Sequence, residues 1–151
     1  MRGAANELIV HHIVAILLAA LVYYYQAFQY QGPAFMGMAE ISSLPLAIVD
    51  LFKQFPELRK HFPMTNELAR NLFAVSFLVL RGAYWPLCSY RFCMITAAVL
   101  SSGAPIAFPM WAVYIFVGGN VLMTFLQWYW ASIILKAIYF LAIGDERHKD
   151  S

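Results

Sequence analysis

Four long apolar stretches constrain the fold of this 151-residue chain more than any other feature. A helix needs roughly 20 mostly apolar residues to cross the hydrocarbon core of a bilayer. Only 12% of the residues are charged, about half of the roughly 25% usual in a soluble domain. We therefore predict an all-α polytopic membrane helix bundle of about four spans, forming a single domain over residues 1–151. The predicted spans cover residues 8–30, 33–55, 66–100 with a bend at Pro86, and 108–143.

The basic residues predict the orientation of these spans. With four spans, both termini and the connection after residue 53 lie on one side of the membrane. Seven of the ten basic residues fall on that side, namely Arg2, Lys53, Arg59, Lys60, Arg70, Arg147 and Lys149. Because basic residues concentrate in cytoplasmic segments, we expect both termini in the cytosol or its organellar equivalent. The alternative is a fifth span over residues 92–109, which would place the basic residues of the C-terminus on the opposite side of the membrane.

Composition also narrows the classes of ligand and partner. The net charge of +2 and the lack of a run of Lys or Arg argue against nucleic acid. Adjacent histidines on a helix diverge, and no HxxxH or ExxH pair is present, so we expect no metal. Cys88 and Cys93 fit neither a CxxC motif nor a disulfide framework, and we interpret them as small apolar residues. A bound lipid is the only non-protein component that we expect.

Polar residues within the first span are candidate site residues, because ionisable groups inside a membrane are commonly functional. A step of 100° per residue places His12 on one helix face with Tyr23 and Gln26. His11 points about 100° away, so the two imidazoles do not converge on one small substrate. Two interpretations remain open: hydrogen bonding to neighbouring helices, or a catalytic or ligand-facing role.

Further polar residues lie in the later spans. Glu40 shares a face with Ser43, and helical rise places both Glu40 and Arg81 roughly 20 Å from the edge predicted to be cytosolic. We therefore predict an ion pair between Glu40 and Arg81 that joins the second and third spans. In the last span, Asn120 and Gln127 belong to a narrow polar seam that indicates helix packing. We interpret these residues as interhelical or as lining a lipid cavity.

The order of several short motifs resembles the TLC-domain family, which includes the ceramide synthases, the TRAM translocon proteins and several lipid-regulating membrane proteins. The resemblance extends from His11 to Ile138 and covers the later part of the domain. The motifs are HHIVAILLAALVYYYQ, GPAFMGMAEISSLPLAIVDLFKQF, FLVLRGAYWP and GGNVLMTFLQWYWASIILKAI.

The resemblance implies a helical barrel around a hydrophobic cavity for an acyl chain or a sterol-like lipid. In the ceramide synthases, the paired histidines matched by His11 and His12 are catalytic and transfer an acyl group from coenzyme A to a sphingoid amine. A later His-Asp pair of those enzymes is replaced here by Ala39 and Glu40, and a further acidic position by Ser43. This departure places the chain nearer to the non-synthase branch, whose members handle or sense lipids.

The helices that precede the paired histidines in that family are expected to be missing here, so that other proteins or a second copy would complete a partial barrel. Three functions follow. The first is a non-catalytic structural or lipid-binding subunit of a larger membrane assembly. The second is a stand-alone protein that senses or transports lipid, and the third is an N-acyltransferase. We expect a multi-pass protein of the endoplasmic reticulum or of an organellar (mitochondrial or plastid) membrane, in contact with membrane lipids.

Overall fold

Helices account for all the regular secondary structure in the residues that can be described. The computed structural model describes the backbone of residues 2–103, 105–106 and 108–149, and side chains within residues 9–143 of those ranges. The helices are α1 (Arg2–Tyr25), α2 (Gln31–Gln54), α3 (Pro56–His61), α4 (Pro63–Ser76), a π-helical segment (Phe77–Tyr84), α5 (Trp85–Ser101) and α6 (Met110–Lys149).

Three of the helical stretches are long and apolar enough to cross a membrane. They cover Gln31–Gln54, Pro63–Ser101 and Met110–Ile143, and a shorter apolar helix covers Ile9–Tyr25. Large apolar side chains are exposed along all of these stretches, as expected for helices that face lipid or other proteins. The prediction of an all-α membrane protein is confirmed.

Helix α1 ends five residues before the predicted limit at Tyr30. The reason is local backbone geometry, since Gln26 and Phe28 have positive φ angles of 51° and 55°. Such angles cannot continue a right-handed helix. The Gln26 side chain closes the helix end, because its Nε2 donates to the Tyr23 carbonyl at 2.6 Å.

The third stretch runs without a break from Pro63 to Ser101, but its hydrogen bonding changes at the predicted bend. Pro86 lies in the first turn of α5, and the π-helical segment ends just before it. Proline has no N–H, so it cannot donate to the Gly82 carbonyl one turn earlier. That carbonyl instead accepts from Trp128 Nε1 at 3.3 Å. The proline therefore frees an acceptor for a side chain of α6.

The chain divides into two compact units. The first contains Met1–Met38 and Tyr84–Leu126. Its core is aromatic, and Phe28 lies at its centre, with ring centroids 5.0 Å from Phe92, 5.6 Å from Phe108 and 4.8 Å from Phe116. Phe28 lies between α1 and α2, and Phe108 lies between α5 and α6. These contacts therefore bring the two connections to the same end of the unit.

The second unit contains Ala39–Ala83 and Gln127–Ser151. Small residues allow close packing here, because a Cβ added to Gly82 would lie only 3.7 Å from the Ala131 Cβ. Helix α4 buries Asn66 and Ala69, whereas the short helix α3 buries no residue. The unit also contains Arg81, which forms hydrogen bonds to three residues of α2.

Candidate functional site: polar clusters between apolar helices

Arg81 is a buried cation that is held by neutral acceptors on α2. Its side chain is 7% exposed. Nε donates to Ser42 Oγ at 2.6 Å, and one terminal nitrogen donates to the Ala39 carbonyl at 2.6 Å and to Ser43 Oγ at 2.8 Å. The guanidinium carbon lies 5.2 Å from the Phe77 ring centroid, within cation–π range. Arg81 therefore joins the π-helical segment to α2.

The serines suit this role because each hydroxyl both donates and accepts. Ser42 Oγ and Ser43 Oγ donate to the Ala39 carbonyl at 3.0 and 2.9 Å, which leaves their lone pairs available to Arg81. Our sequence analysis included Ser43 among the candidates and omitted Ser42, which is fully buried. The adjacent hydroxyls, within reach of one carbonyl three and four residues earlier, are the signal that could have identified both.

The predicted contact between Glu40 and Arg81 is wrong. Glu40 is exposed and attracts Arg81 only by a longer-range Coulomb interaction. Within the described part of the chain, the ion pairs are Lys53 with Asp50 and Lys60 with Glu57, each at 2.9 Å and on the surface. The physical reason is direction, since the guanidinium is directed to Ser42, about 160° from Glu40 around α2, and to Ser43, which lies between the two.

A second polar cluster joins α5 to α6 within the first unit. Trp85 Nε1 donates to Thr124 Oγ1 at 3.2 Å, and Thr124 Oγ1 lies 3.0 Å from Ser89 Oγ. Ser89 Oγ in turn donates to Asn120 Oδ1. The predicted polar seam on α6 therefore includes Asn120 in an interhelical network. Trp85 and Ser89, which contact this seam from α5, were not predicted. They lie 39 and 31 residues before their partners Thr124 and Asn120, and no sequence pattern indicates contacts between such distant residues.

The two histidines of α1 differ in burial. His11 is partly buried, and its Nδ1 lies 3.1 Å from Met123 Sδ on α6. His12 is exposed, and the two rings meet edge to face with centroids 5.3 Å apart. His11 belongs to the packed face of α1 with Leu18 and Val22, at intervals of seven and four residues, and Leu18 lies against Gly119. The two residues therefore differ in burial, as the 100° step predicts, although their rings stay in contact.

Tyr23 lies on the exposed side of α1 and Gln26 lies just beyond its end, so the predicted shared helix face with His12 does not reach Gln26. Tyr23 is 80% exposed, and Gln26 bonds to the Tyr23 carbonyl of α1. Both side chains therefore lie outside the helix interfaces of the described chain.

Gln127 is the least satisfied polar side chain described here. It is fully buried, and neither its Nε2 nor its Oε1 has a hydrogen-bond partner among the described residues. A buried amide without partners is costly. The predicted polar seam therefore does not extend, as a hydrogen-bonded network, to this position.

An apolar cavity of about 260 Å³ lies in the first unit, at the end formed by the two connections. Its lining includes Phe28, Ile95, Val99, Phe108 and Val113. Thr96 also lines it, but its hydroxyl donates to the Phe92 carbonyl of its own helix at 2.8 Å. The cavity is near the lower end of the roughly 300–1,000 Å³ typical of ligand pockets. Its size and apolar lining suit a segment of one acyl chain.

The fold and these clusters define an all-α integral membrane protein whose spans are joined by buried polar contacts. The family model for the TLC domain matches residues 1–136. Because this match covers most of the chain, the protein belongs to the TLC-domain family, as its motifs predicted. No curated protein and no solved structure matches the chain significantly.

Proposed function

We propose that this chain is a non-catalytic TLC-domain subunit that holds a lipid acyl chain and packs against a further membrane protein. The different surroundings of the two histidines carry the proposal. His11 turns towards the Met123 thioether, and His12 turns outward. General base or nucleophilic catalysis needs a positioned imidazole with the reacting groups in hydrogen-bond reach. Here one imidazole packs against a thioether and the other is exposed.

The polar residues of the later spans support a structural role. Arg81 is held by Ser42, Ser43 and the Ala39 carbonyl. Ser89 and Asn120 bond to each other across α5 and α6. Such bonds between helices stabilise membrane bundles. Ala39 and Glu40, which take the place of the later His-Asp pair in the resemblance, supply no imidazole, and Glu40 is exposed.

The apolar cavity supports the lipid-binding part of the proposal. A lining without a free polar donor favours a hydrocarbon chain over a headgroup. Val99→Trp should fill the cavity and reduce the amount of lipid that copurifies, as measured by lipid mass spectrometry. Val75→Trp, at an exposed valine outside the cavity, is the matched control. Equal lipid content in the two variants would count against this cavity as the lipid site.

An acyl-transfer assay separates the proposal from the acyltransferase alternative. The full chain in lipid vesicles is supplied with long-chain acyl coenzyme A and a sphingoid amine, alongside His11→Ala, His12→Ala and the control Tyr24→Ala. We expect no product above that of vesicles without the protein. Product that disappears with either histidine variant and persists with Tyr24→Ala would establish the enzyme instead.

The proposed host membrane is the endoplasmic reticulum or an organellar membrane of mitochondrial or plastid type. Imaging of a fluorescent fusion against organelle markers tests this part separately. A signal confined to the plasma membrane would contradict it.

A further inference from the structure

Glu40 and Arg91 are exposed residues of opposite charge that lie at least nine residues from either end of their apolar stretches. Each belongs to a helical stretch apolar enough to cross a membrane. Both are surrounded on the helix surface by exposed apolar side chains, including Leu44 beside Glu40 and Leu87 beside Arg91. Ionisable groups at such positions are rare, and they pair with one another or line a polar path.

Helical rise gives the depth of Glu40 and of Arg91 in the membrane, each measured along its own helix. Glu40 lies nine residues after Gln31, where α2 begins, and Arg91 lies ten residues before Ser101, where α5 ends. At ~1.5 Å per residue these distances are about 14 and about 15 Å. Both helix ends lie at the same side, because Phe28 before α2 contacts Phe108 after α5. Half of a hydrocarbon core of ~30 Å is about 15 Å, so both residues are near the bilayer centre.

Neither residue has a direct partner within its own chain, as far as the chain is described. The structure records no hydrogen bond or ion pair for Arg91, and Glu40 has only the longer-range attraction of Arg81. The guanidinium of Arg81 is itself directed to the serines of α2. The other exposed charged residues of these stretches lie near an end: Asp50 pairs with Lys53, and Glu67, Arg70 and Lys136 are within seven residues of an end. Lys136 can extend to the membrane boundary.

We propose that Glu40 of one copy pairs with Arg91 of a second copy inside the membrane, so that the chain assembles with itself. The opposite charges, the exposure of both residues and the position of each near the bilayer centre along its own helix make a second copy the complementary occupant of the α2 face. This inference rests on the proposed function in requiring a protein partner, and it names that partner. The exposed carboxylate and guanidinium are then sheltered from the acyl chains by each other.

A double-mutant cycle on self-association tests the pair. Copies carrying two fluorophores are reconstituted in vesicles at decreasing protein-to-lipid ratios, and energy transfer gives the association constant. Glu40→Gln and Arg91→Gln should each weaken association by about three- to tenfold, the range expected for an interhelical polar contact in a membrane. The double variant should be no weaker than either single variant. Glu67→Gln and Lys136→Gln, at exposed charges elsewhere, should leave association unchanged.

Cross-linking tests the geometry without altering the charges. In a background with Cys88 and Cys93 changed to alanine, one copy carries Leu44→Cys and a differently tagged copy carries Leu87→Cys. Each position is one turn further than the charged residue from the helix end used above, Gln31 for α2 and Ser101 for α5. Mild oxidation should give a heterodimer that contains both tags. Leu44→Cys with Leu141→Cys is the control that should not cross-link.

The possible outcomes separate this inference from the proposed function. Additive effects of the two Gln variants, or a heterodimer yield equal to that of the control, would overturn the pair. A wild-type chain that binds other membrane proteins but never itself would also overturn it while leaving the proposed function intact. Acyl-transfer turnover would instead overturn the proposed function, whatever the result of the cycle.

Discussion

Ser42→Ala is the most informative single change, because it removes one contact of a buried cation. Ser42 is fully buried, and its Oγ accepts from Arg81 Nε at 2.6 Å. Without the hydroxyl, this N–H has no acceptor in an enclosed site. Hydrogen bonds to charged groups are worth about 1.5–3 kcal/mol in proteins generally. Interhelical polar bonds in membranes average about 0.6 and reach about 1.7 kcal/mol.

These ranges overlap near 1.5 kcal/mol, which is the expected loss of unfolding free energy for Ser42→Ala. Ser43→Ala should cost less, about 0.5 kcal/mol, because the terminal nitrogen that bonds Ser43 keeps its bond to the Ala39 carbonyl. The assay is unfolding in bicelles by a denaturing detergent, followed by circular dichroism. Ser101→Ala, an exposed serine bonded to its own helix, is the control.

The critical comparison measures the effect of Ser42→Ala in a chain that also carries Arg81→Met. If Ser42 acts through Arg81, Ser42→Ala should cost little once the guanidinium is gone. An equal loss of stability in the wild-type and Arg81→Met backgrounds would show that the hydroxyl acts independently of Arg81. The hydrogen bonds from Arg81 to α2 would then not be what makes Ser42 stabilising.

Three further predictions use the same unfolding assay. Gln127→Met should raise the free energy of unfolding by about 1 kcal/mol, because it replaces a buried amide without described partners by an apolar chain of similar shape; a loss would indicate that Gln127 binds a polar group. Gly119→Ala should lower stability by about 1 kcal/mol, because its Cβ would lie 3.0 Å from the Leu18 side chain, whereas Gly118→Ala meets nothing within 4 Å and should be neutral or stabilising. Equal effects at the two glycines would contradict the packing of α1 against α6. Thr124→Val should cost about 1 kcal/mol, because it breaks the contacts to Trp85 and Ser89; an unchanged stability would exclude this network as a stabilising contact.

The membrane class and the helix positions could be predicted because they depend on local properties of the chain. Runs of about 20 apolar residues have few alternatives to a membrane helix. The end of α1 was placed too late because the apolar run continues past Tyr25, while the turn depends on the backbone conformations of Gln26 and Phe28. Pro86 was recognised as an irregular position, but the π-helical segment before it has no sequence pattern of its own.

The polar contacts were predicted only in part, because they depend on how one helix is rotated against another. The sequence indicated that Arg81 needs a partner on α2, and charge suggested Glu40. Three neutral oxygen atoms in the right direction satisfied the guanidinium instead. Similarly, the helical step separated His11 from His12, but only the packing of Leu18 on Gly119 shows that His11 is on the inner face.

The most direct test of the proposed function is native mass spectrometry of the full chain ejected from membrane vesicles without prior detergent extraction. We predict complexes in which the chain is bound to another membrane protein chain, a second copy included, and carries lipid. A chain that appears only as a lipid-free monomer would contradict the account.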